Sequence, residues 1–73
     1  MNLCNLKIGE KGKIDCVKGD SRLAKRLSAL GLVDGTEIEL KRVAPFGDPL
    51  IISLRGFDLA IRKKDAKNIF LLI

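Results

Sequence analysis

Histidine, tryptophan and tyrosine are all absent from these 73 residues, and only three phenylalanines, two prolines, two cysteines and one methionine occur. Each scarcity excludes something. Without histidine the commonest neutral-pH general base is missing, and a metal site would have to be built from thiolates and carboxylates. Cys4 and Cys16 are too far apart for a CxxC redox pair and show no second half of a zinc site. Two reduced, structural thiols are the simpler reading, with a Cys-based iron or zinc site as the alternative. No GxxxxGKS/T or GxGxxG phosphate loop is present, so no nucleotide cofactor is expected. Ser21, Ser28 and Ser53 have no activating partner, and the chain is read as non-enzymatic, with no catalytic residue. No apolar run approaches the ~20 residues of a membrane helix; the longest is Ile69 to Ile73. Lys7 interrupts the segment where a secretory signal would run, so a cytoplasmic location is expected.

What is present describes a small folded domain. Hydrophobic residues make up 47% and charged residues 32% of the chain, too apolar for intrinsic disorder. One domain over residues 1–73 is expected, with a thin core, since a chain this short hides only ~60% of its unfolded surface. Fourteen Lys and Arg against nine Asp and Glu give +5 at pH 7. That charge attracts a phosphate backbone, an anionic lipid surface or an acidic protein face, and composition does not rank the three.

Along the chain, Lys13 to Val17 alternates like a half-buried strand that follows Gly12 and closes at Gly19. Asp20 reads as the N-cap of an amphipathic helix with Leu23, Leu27 and Leu30 on its apolar face. Gly31 is its left-handed C-cap, and Leu32 is expected to fold back on the last turn as in a Schellman motif. After an Asp34-Gly35 turn, Thr36 to Val43 forms a strand that breaks phase at Arg42-Val43, signalling a bulge or the strand's end. Ala44 to Pro49 must be a loop. Leu50, Ile52 and Leu54 share one face of the next strand, which Gly56-Phe57-Asp58 turns into Leu59 to Arg62. Lys63 to Lys67 reads as a short helical turn and Asn68 to Ile73 as a last strand.

These elements predict a mainly β fold: a small, partly closed SH3-like barrel of about five antiparallel strands, its one short helix following the first strand, and its closure hiding strand edges. An OB-type barrel is the nearest competitor, disfavoured because the last three strands are short. The chain resembles the FeoA family along nearly its whole length. The resemblance is carried by Leu6 with Gly9 and Gly12, Arg26-Leu27, Leu30-Gly31-Leu32, Gly35, the Ala44-Pro45-Phe46-Gly47-Asp48-Pro49 loop, Gly56, Leu59-Ala60-Ile61-Arg62, Ala66 and Ile69. Lysine is denser near the first strand than the family pattern has it. The resemblance implies an SH3-like accessory protein of bacterial ferrous iron uptake, acting beside the FeoB-type permease with its cytosolic GTPase domain. The same domain also forms the C-terminal part of metal-dependent repressors of the diphtheria-toxin-repressor type; a detached repressor domain is a third reading, which, with no recognition helix expected among these 73 residues, holds only for a fragment of a longer chain.

Three regions are candidate partner-binding sites. Arg22, Lys25 and Arg26 make a basic helix patch, readable equally as a solvated face. Pro45, Phe46, Gly47 and Asp48 form either a stiff recognition loop or a plain hairpin connection, the latter favoured. Phe46 and Phe57 are expected to fold back and plug a barrel end rather than act as contact anchors. In the last strand Ile69, Leu71 and Ile73 share one face and Phe70 and Leu72 the other; a barrel has one interior, so an apolar patch is expected that meets a partner or a second copy. The rival function is a basic SH3- or OB-like nucleic-acid-binding module, for which three Phe offer few stacking platforms.

Overall fold

A computed structural model describes residues 1–72 and divides them into a 3₁₀ turn (Leu3–Asn5), five strands and two helices. In chain order these are β1 (Lys11–Val17), α1 (Ser21–Ala29), β2 (Glu37–Val43), β3 (Leu50–Leu54), β4 (Phe57–Ile61), α2 (Lys63–Ala66) and β5 (Ile69–Leu72). The strands form one antiparallel sheet in the order β4-β3-β2-β1-β5. This is the expected mainly β architecture.

Alternation decides what faces inward. Ile38 and Leu40, Leu50, Ile52 and Leu54, and Ile69 and Leu71 are all buried, while their neighbours along each strand are exposed or half-buried. Two bulges bend the sheet around this core: Asp15 is the extra residue of β1 against β5, and Lys41 that of β2 against β3. The second lies just before the predicted phase break, and β2 continues through it to Val43.

Helix α1 covers the core with Leu23 and Leu27. The Asp20 Oδ1 accepts from the Leu23 amide at 2.8 Å, as its N-cap role requires. At the other end Gly31 (φ +95°) and Leu32 donate to the carbonyls of Ser28 and Leu27, both at 2.9 Å, the paired bonds of a Schellman motif, and Leu32 is buried. Leu30, expected in the core, instead stands half out in solvent, because the helix ends at Ala29 and Leu30 is its cap.

Several expectations are corrected. The β3–β4 connection is a two-residue turn, Arg55-Gly56, with φ of +50° and +86°, so Phe57 and Asp58 belong to β4 rather than to the turn. Neither Phe46 nor Phe57 plugs a barrel end: they are 99% and 68% exposed. The core instead includes Leu3 and Leu6 from the N-terminal segment, which has no strand or α-helix period and to which the sequence reading gave no core role. The sheet is also not closed, since β4 and β5 lie at opposite edges. The β5 edge is covered: the Leu71 amide donates to the Met1 carbonyl at 2.9 Å and Asn2 bridges Phe70. Ile73 lies outside the described residues.

Candidate functional site: a basic groove beside an exposed loop

The loop between β2 and β3 is built to hold its shape. The Gly47 amide donates to the Ala44 carbonyl at 2.8 Å with Gly47 at φ +85°, and the Ala44 amide donates to the Pro49 carbonyl at 3.1 Å. Here the glycine's freedom is required, as the hairpin reading expects. The Asp48–Pro49 peptide is cis. Pro45 and Phe46 form the tip, where the Phe46 ring is almost wholly solvated. Asp48 points the other way: its Oδ1 accepts from the Lys63 amide at 2.9 Å. Helix α2 has no side-chain cap of its own at Arg62, and Asp48 supplies an acceptor from fifteen positions away. So Asp48 anchors the loop, leaving Phe46 as the group it presents.

The same short helix receives a second tie. The Arg26 guanidinium donates to Asp65 Oδ2 at 2.9 Å, an ion pair joining α1 to α2. Arg26 is thus a structural partner as well as a surface cation, and the predicted patch is split. Arg22 and Arg26 line a shallow groove between α1 and α2 with Lys64, whereas Lys25, also exposed, lies outside it. Arg26 is ion-paired with Asp65, and Asp20 keeps its charge while capping the helix through the Leu23 amide, so Arg22 and Lys64 leave a cationic excess of one charge in the groove. Adjoining it is a second groove between α1 and β4, floored by Leu27, Leu30, Ala60 and Ile61 and rimmed by Arg62 and Lys64.

The structure therefore brings Arg22, Arg26 and the Pro45–Asp48 loop to one short helix. Phe70 and Leu72 are on β5, outside both grooves. The expected alternation holds there: Ile69 and Leu71 are buried, Leu72 is 54% exposed, and Phe70 is half-buried with the Lys18 Nζ 5.0 Å from its ring centroid, within cation–π range. Sequence reasoning put Leu30 on the helix's core face and used Leu30, Ala60 and Arg62 as residues of the family resemblance, but gave none of them, nor Lys64, a binding role. The signal for Ala60 was available, as the small exposed member between Leu59 and Ile61 in a period-two run. Cys4 and Cys16 are both free thiols; Cys4 Sγ lies 3.7 Å from the Lys63 carbonyl. Among the described residues no three Cys, Asp or Glu side chains gather into a metal-holding group.

Comparison with known proteins places this geometry. A family model described as the FeoA domain matches residues 1–72. A curated relative, the Fe(2+) transport protein A/Fe(2+) transporter FeoB fusion protein of Porphyromonas gingivalis, is 30% identical over 69 residues, which are 94% of this chain and 8% of that protein. The solution structure of the FeoA protein of Chlorobium tepidum superposes with a TM-score of 0.93 at 34% identity, over all of this chain and 70% of that one. The crystal structure of Stenotrophomonas maltophilia FeoA with zinc, described as a prokaryotic SH3 domain protein, gives 0.84 at 26% identity over 99% of this chain and 89% of that one. These likenesses favour the SH3-like over the OB-type reading, and with the family match spanning nearly every residue, this chain belongs to the FeoA domain family, which is associated with ferrous iron transport.

Proposed function

We propose that this chain is a non-enzymatic, cytoplasmic accessory of ferrous iron uptake that binds the cytosolic part of a FeoB-type GTPase permease and modulates its assembly or GTP turnover. The observation that carries this reading is the P. gingivalis protein in which a FeoA-type segment and a FeoB transporter share one chain. Tethering holds two modules at an effective concentration in roughly the millimolar range; as separate chains they need an interface of their own. The loop tip at Phe46 and the cationic groove along α2, the helix to which Asp48 ties the loop, supply an apolar anchor and complementary charge for an acidic face. Phe70 and Leu72 would serve self-association.

Calorimetric titration against the soluble GTPase domain of the permease from the same bacterium tests the reading. Saturable binding that weakens as salt rises, with an altered rate of GTP hydrolysis, is the expected result. Failure to bind at any salt concentration, alongside salt-sensitive binding to a short single-stranded DNA, would shift the assignment to the nucleic-acid-binding alternative.

A further inference from the structure

The two edges of the sheet are treated differently. Along β5 the backbone is covered by Met1 and Asn2, whereas among the described residues β4 pairs only with β3. The two-residue turn makes Leu54 and Phe57 the closing hydrogen-bonded pair, and the register runs without a shift to Leu50 and Ile61. Alternation then turns the backbone groups of Leu59 and Ile61 toward β3 and those of Asp58 and Ala60 away from it. Both outward residues are exposed, and among the described residues neither takes part in any other backbone hydrogen bond. Two N–H donors and two C=O acceptors therefore stand open, a template for another strand.

This edge borders the groove whose floor includes Leu27, Leu30 and Ile61 and whose rim carries Arg62 and Lys64. The floor is apolar, and its one acid, Asp65, is already ion-paired. We infer that the open edge of β4 at Asp58 and Ala60 receives an extended, acidic segment of the permease's cytosolic part as a sixth strand, with alternate apolar side chains lying against Leu30 and carboxylates near Arg62 and Lys64. Backbone pairing supplies affinity in such an addition, and alternate side chains supply specificity. The Asp58 carboxylate sets polarity, because it repels an acid at that end of the edge and so directs the acidic end of the incoming segment to Arg62. This assignment rests on the permease-binding reading above and adds where and how the partner docks.

Amide hydrogen exchange of the labelled full chain, free and bound to the soluble GTPase domain, tests it. The Asp58 and Ala60 amides should exchange fast in the free protein and slow at least about tenfold in the complex, with Leu59 and Ile61 unchanged. Ala60→Pro removes an outward-facing donor and no β3–β4 ladder bond, while fixing φ at about −65°, and Leu30→Glu places an acid in the groove's apolar lining. Each should weaken binding by about tenfold or more while the fold, read by amide dispersion, is kept. Should Ala60→Pro fail to fold, the Leu30→Glu result decides. Protection at Phe70 and Leu72 instead, or full affinity in the folded variants, overturns this docking site and leaves the accessory reading standing. No binding by the unaltered chain overturns both.

Discussion

Phe46 and Asp48 sit two residues apart and do opposite things. Fully burying a Phe side chain is worth about 1.5–3 kcal/mol, yet Phe46 is left 99% exposed on a loop whose backbone is fixed by two internal hydrogen bonds. Phe46→Ser should therefore leave the thermal midpoint within the range of ordinary surface changes, about 0.5 kcal/mol, while reducing affinity for the permease domain; a fall in the midpoint with unchanged affinity would count against its role as an anchor. Asp48→Ala should behave the other way. It removes the acceptor for the Lys63 amide, a capping contact typically worth about 0.5–2 kcal/mol, or roughly 4–8 °C per kcal/mol in a domain of this size, measured by thermal melting. A loop motif rich in Pro, Gly and Asp told that this segment turns; which of its side chains anchors and which is displayed depends on α2, which lies beyond two intervening strands.

At the scale of elements, both ends of α1 were legible because capping is local chemistry: Asp20 and Gly31 act on amides and carbonyls within a few residues. Gly31→Ala should destabilise by more than 1 kcal/mol, about the cost of a left-handed non-glycine residue. Besides sitting at φ +95°, the added Cβ would lie 3.3 Å from Leu54 Cδ2; denaturant titration measures the loss. The β3–β4 turn starts one residue earlier than expected, because Arg55 carries no signal for a positive φ, unlike the Asn or Asp usual before glycine in such turns. Arg55→Asn should accordingly raise stability, by up to about 1 kcal/mol, in the same titration.

For the molecule as a whole, net stability is a small remainder, typically about 5–15 kcal/mol and near the low end for short chains. Leu3 and Ile52 are both fully buried, one in a chain-terminal 3₁₀ turn and the other in the middle of the sheet. Leu3→Ala and Ile52→Ala should each cost about 2–5 kcal/mol, and a much smaller loss for Leu3, read by urea denaturation, would show that the N-terminal segment is not an integral part of the core. By itself the sequence determined the five strands if not the start of β4, the capped helix, the inward faces apart from Leu30, and the family, since period, caps and turn residues act over a few positions and the motifs keep their order along the chain. Only the tertiary structure decided that the sheet stays open at β4, that Leu3 rather than Phe46 fills the core, and that Arg26 and Asp48 both tie to α2. Those outcomes depend on contacts between segments 15 to 39 positions apart or more, and on a competition for limited interior volume that no local pattern records.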